Sequence, residues 1–247
     1  MNNPELTQPE NTYWHFLPPS RRLQYGDGRE VVAGKTLRVE GTPVVGVCGL
    51  HASARAIDAL TNAPGPIACL VTLGGEIFYG ADKSAGQERT VLWMIDATDL
   101  LREFACEVAW VALREEREAG REPDPRSWAA IEVARRFLRG EGSEAELDAA
   151  CTDAHAAVYA ADKAFNISAA SMAAYAASYA AAWSAVSAAH VAADTAAKAA
   201  IWVAGNAAKF NAKAGAAATA EFNVRLTQML LTARQAQAGQ AGQKETA

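Results

Sequence analysis

The feature that most constrains this chain is a run that cannot be anything but helix. From Arg126 to the last residue there is no proline, and alanine dominates. Alanine has the highest helix propensity and no side-chain entropy to lose on folding. Between Ala169 and Ala193 there is also no Asp, Glu, Lys or Arg. As helix that stretch spans about 37 Å, enough to cross a bilayer. Its composition argues otherwise: it is alanine and serine with one histidine, and lacks the Leu, Ile, Phe and Val content that makes insertion favourable.

The large side chains here are ordered. Met172, Tyr175, Tyr179, Trp183, Val186, His190 and Ile201 fall within a stripe about 80° wide on a helical wheel. A helix from about Ser168 to Ala204 accounts for them, with Gly205 and Asn206 as its stop. A narrow stripe flanked by small residues is a packing seam, because alanine lets helix axes approach toward about 8 Å. Tyr175, Tyr179 and Trp183 are the expected anchors of a binding interface, with a protein partner or a second copy of the chain.

The first half reads differently. Thr12 to Leu17 is an expected strand closed by Pro18 and Pro19. Gly26-Asp27-Gly28 marks a hairpin-type turn within Leu23 to Val32. Further strands are expected at Thr36 to Glu40, Val44 to Cys48, Ile67 to Leu73, Glu76 to Tyr79 and Arg89 to Ile95. Ser53 is the expected cap of a short helix, Ala54 to Leu60. Strands joined mostly by turns, with one short helix inserted, indicate an α+β fold with a small mixed sheet.

Helices take over after Asp96. Leu100, Leu101, Phe104, Val108, Val111 and Ala112 keep a helical period through Thr98 to Ala119. Asp124 as N-cap and Pro125 at the first helical position open a helix to about Arg139. Ser143 and Glu146 have capping-box spacing for the next. Phe222, Leu226, Met229 and Leu230 mark a last amphipathic helix. The expected organisation is a disordered tail over 1–11, an α+β domain over 12–120, an alanine-rich helical region over 124–234 and a disordered polar tail over 235–247.

The net charge of −5 provides no basic footprint for nucleic acid or anionic lipid. Cys48, Cys69, Cys106 and Cys151 lack a CxxC pair, the pattern of reduced thiols in a cytoplasmic protein. The first residues have neither a basic nor an apolar signal-peptide segment. No metal site is expected: Cys48 and His51 are three apart, and only Cys69 suggests itself as a further ligand. No phosphate-loop glycine pattern is present. Of the four histidines, His155 and His190 lie on apolar helical stripes and His15 in a strand between Trp14 and Phe16. His51, where a strand is expected to give way to a helix, is the best placed to reach a pocket.

Several blocks together resemble an uncharacterised family of bacteriophages and bacteria: WHF (14–16), the Gly-rich hairpin, CGLHAS (48–53), DALTNAPG (58–65), the Asp82–Lys83 pair and RTVLWMIDAT (89–98). The likeness covers roughly residues 13 to 110, with GLHAS its most specific part. It implies a phage or mobile-element setting, with the host cytoplasm as the compartment, and brings no established activity. A second resemblance is to ADP-ribosyltransferase folds and the related RNA 2′-phosphotransferases. It rests on His15 and on Gly49 to Ser53, with Glu88 as the late acidic residue, and implies NAD as cofactor. The surroundings of Glu88 depart from the usual acidic strand motif, and the NAD-binding arginine pattern is not evident.

Two expectations follow. The first is a phage or mobile-element accessory protein that acts by protein–protein binding, interfering with a host system, without catalysis, cofactor, nucleic acid or membrane. The second is an ADP-ribosyltransferase-like enzyme, or a nucleotide-binding relic of one, with His15, His51 and Glu88 as its catalytic set.

Overall fold

The computed structural model describes residues 6–118, 120, 122–163 and 212–245. The expected helix from Ser168 to Ala204, with Tyr175, Tyr179 and Trp183, lies outside the described residues. The chain divides into two compact units, one of residues 1–97 and 223–247, the other of residues 98–222.

The first unit is built on β1 (Tyr13–Leu17), β2 (Thr36–Arg38), β3 (Leu50–Ala52), β4 (Ile67–Tyr79) and β5 (Ser84–Asp96). The α+β class holds, and the sheet is antiparallel at every described pairing rather than mixed. Strands β4 and β5 form one long hairpin. The two extended pieces expected around Gly74 and Gly75 are thus a single strand carrying a bulge. Gly75 takes φ +68°, and a Cβ there would come within 2.8 Å of the Gln87 side chain. Gln87 occupies that space, with Oε1 accepting from Glu76 N–H at 3.0 Å and its amide donating to Gly41 O at 3.1 Å. The bulge therefore keeps its hydrogen bonds while the strand bends.

On its outer side β4 pairs with β1, with His15 opposite Cys69. On its outer side β5 pairs with β2 and β3, with His51 opposite Ala85. Ser53, just past β3, exchanges two backbone hydrogen bonds with Trp14 at 2.7 and 2.9 Å. The pairing therefore closes a ring, β1–β4–β5–β3–β1. This corrects two local expectations. The strand lies at Leu50–Ala52, while Val44 to Cys48 is a turn closed by one bridge around Gly46. Ser53 pairs with Trp14 instead of capping a helix.

Alternation along the strands sorts the side chains onto two faces. Trp14 and Phe16 are buried on one, where Trp14 meets Trp93 edge to face at 5.7 Å. Helix α1 (Ala56–Thr61) packs against β1. Arg55 precedes it without a side-chain cap, and the Ile57 N–H is taken instead by Asn223 Oδ1 at 3.2 Å. The other face carries the cluster of Leu17, Val31, Ala52, Ile67, Cys69, Val71 and Val91.

In the second unit α2 (Thr98–Glu118) buries Leu101, Phe104, Val108 and Ala112 of the expected stripe. Helix α3 (Pro125–Leu138) has the expected Asp124 cap, whose carboxylate accepts from Arg126 N–H at 2.9 Å. Helix α4 (Glu144–Lys163) opens on the reciprocal Ser143–Glu146 capping box. Ala130 of α3 and Ala154 of α4 are both fully buried, small-residue packing of the kind the composition implies. Arg135 pairs with Glu103 at 2.9 Å, and Arg117 stacks 4.5 Å over the Trp128 ring.

Three boundaries differ from expectation. The first unit's leading segment ends at Ala97, and α2, whose buried face packs with α3, belongs to the second unit. Residues 235–245 belong to α5 (Ala212–Glu245) and not to a tail. The leading residues are pinned from Gln8 on, whose side-chain oxygen accepts from Trp14 Nε1 at 2.7 Å.

Candidate functional site

The unusual chemistry of the first unit gathers on the cluster face. His15 stands between Tyr13 and Leu17 on β1, directly opposite Cys69 on β4. Arg89 points to the same face because it is two residues from Val91, a member of the cluster. Its side chain is buried, with the residue 2% exposed. Nη1 donates to the backbone oxygen of His51 at 2.7 Å. Nε and Nη2 are buried too and have no hydrogen-bond partner among the described residues. Burial pulls the Arg89 pKa down to about 10, only partly offset by Cys69 and Asp27.

The neighbouring groups are held uncharged or already engaged. Burial is the main reason the His15 imidazole sits well below its ordinary value, with the charges of Arg89 and His51 adding to it. His51 is lowered by burial and then by Lys83, and its Nε2 accepts from Gly46 N–H at 2.9 Å. Its proton is therefore on Nδ1 in the neutral ring. Burial pushes the Cys69 thiol up to about 12, and its Sγ–H is directed to Ile67 O at 3.7 Å. Asp27 is bound by Arg29 through two contacts of 2.7 Å, which hold its carboxyl below the usual range.

The structure brings His15 and His51 within electrostatic reach of each other and of Arg89. It does not bring Glu88 to them. Glu88 alternates with Arg89 onto the opposite side of β5, where it pairs with Arg38 at 3.4 Å. Arg55 is engaged by Asp58 at 2.6 Å. Cys48 is exposed on the turn before β3, with its Sγ toward Thr42 O. Among the described residues no three His, Cys, Asp or Glu side chains are grouped to hold a metal ion, and none of the described helices is long and apolar enough to cross a membrane.

Arg89 is the residue the sequence pattern conceals. Its signal is a charge in phase with the inward positions of RTVLWMI, where strand alternation calls for an apolar residue. Compared with protein-family models, curated proteins and solved structures, the chain matches none significantly. The chemistry of the site therefore has to be read from its geometry. Around Arg89 the structure groups two imidazoles lowered by burial, a buried thiol pushed up to about 12 and a guanidinium oriented by the His51 carbonyl.

Proposed function

We propose that this chain is a non-catalytic binding protein, whose α+β unit recognises a partner and whose alanine-rich helices mediate association. The observation that carries this reading is how the reactive side chains are spent. His51 Nε2 is taken by Gly46, the Cys69 thiol is held protonated, and Glu88 is paired with Arg38. What stays unpaired is the buried donor edge of Arg89, a group suited to holding an anion that does not titrate near neutral pH. The GLHAS and RTVLW blocks support a phage or mobile-element setting, acting on a host protein in the host cytoplasm.

One observation favours a second reading. His15 and His51, two of the three residues of the ADP-ribosyltransferase-like or nucleotide-binding-relic reading, lie within electrostatic reach of each other. Incubation of the pure protein with NAD separates the two. The binding reading expects no nicotinamide release and no ADP-ribosylated product. Nicotinamide release that disappears in both His15→Ala and His51→Ala would overturn it. Saturable NAD binding without turnover, lost in the same variants, would mark the relic.

A further inference from the structure

The unpartnered atoms of Arg89 are not an arbitrary pair. Nε–H and the adjacent Nη2–H lie parallel on one edge of the guanidinium, the edge that grips a carboxylate or phosphate with two hydrogen bonds. That edge is the one without partners, while Nη1, on the other side, is fastened to His51 O at 2.7 Å. The backbone of β3 thus fixes the plane of the guanidinium. From these facts we infer that Arg89 is a preorganised site for a single carboxylate group of a ligand. The inference deepens the binding reading and rests on it.

Charge balance selects a carboxylate over a phosphoryl group. Arg89 contributes one positive charge among apolar side chains, with no ion pair of its own among the described residues. His15 and Cys69 beside it are uncharged. Arg29 is committed to Asp27, and the Asp27 carboxylate, which acts on Arg89 through space, opposes any second negative charge. One planar anion neutralises the guanidinium, whereas a phosphate dianion would leave excess charge in a poorly solvated place.

The test uses the full chain with sodium acetate and sodium succinate as probes, sodium chloride at matched ionic strength, and inorganic phosphate. Binding is followed by calorimetry and by the nuclear magnetic resonance signal of the Arg89 Nε–H. Acetate or succinate should move that signal downfield saturably, with one site per chain. Affinity should fall about tenfold or more in Arg89→Lys, which keeps the charge and loses the fork. It should vanish in Arg89→Met. An equal response to chloride, tighter binding of phosphate, or an unmoved Nε–H signal in the wild type would each overturn the assignment. The wild-type signal settles the matter even where a variant fails to fold. The NAD experiment is independent: turnover would sink the binding reading whatever acetate does, and a silent Nε–H without turnover would remove only the carboxylate site.

Discussion

An arginine left unsatisfied in an apolar cluster should weaken the fold, and replacing it should show this. The fall of its pKa from the ordinary 12.5 to about 10 corresponds to about 3 kcal/mol against the charged form at neutral pH. Arg89→Met keeps most of the side-chain length and removes the charge. It also removes the hydrogen bond to His51 O, leaving that carbonyl without this donor at a cost of about 1 kcal/mol. The variant should therefore be more stable than the wild type by about 2 kcal/mol at pH 7, as found where buried charges give way to apolar groups. Urea denaturation followed by tryptophan fluorescence is the assay, with the slope unchanged so that the midpoint reports stability. The advantage should shrink with rising pH. Between the folded value of about 10 and the unfolded one, the unfolded state binds more protons, so the wild type gains stability there. A variant less stable than the wild type by more than about 1 kcal/mol would refute the reasoning, because Arg89 would then have a stabilising partner.

Two further outcomes follow from the same unit. His15 and His51 both have folded-state values below the ordinary 6.5, so the unfolded chain binds more protons below that pH and stability should fall as the solution is acidified from pH 7 toward 5. The slope is at most about 1.4 kcal/mol per pH unit for each group, less for the more open His51. Thermal melts of wild type and His15→Gln would check this, and a wild type stabilised by acid would contradict it. Asn223→Ala removes the acceptor for Ile57 N–H and should cost about 1 kcal/mol, the size of a lost N-cap; an unchanged urea midpoint would show that water serves equally well.

What the sequence reveals about this fold depends on how local the cause is. The Asp124 cap with Pro125 and the Ser143–Glu146 box are visible because every atom involved lies within a few residues. The strands around Ile67 and Arg89 are visible through their β-branched and aromatic runs. Leu50–Ala52 is not, since an alanine- and histidine-containing triplet has little strand preference; it is a strand because β5 supplies partners for it. Ser53 has the chemistry of a cap, yet pairing with Trp14 claims its backbone. The glutamine-rich end of α5 has no apolar period to announce it as helix. At the site, the histidines stand out because they are few, whereas Arg89 looks like any strand-edge charge until the pairing register shows which way it points.

The contact between Ile57 and Asn223 joins positions 166 residues apart. On a ribosome adding about 5–20 residues per second, the acceptor for that amide is made roughly 10–30 s after the strands around it begin to emerge. For that interval the sheet and its short helix exist without the segment that ties the helix down, while all of the intervening helical unit is synthesised. The order of manufacture is thus the reverse of the usual one: the inserted unit can be finished before the unit that hosts it. A chain stalled before Asn223 would present α1 uncapped, and its Ile57 amide should exchange with solvent faster than in the completed protein.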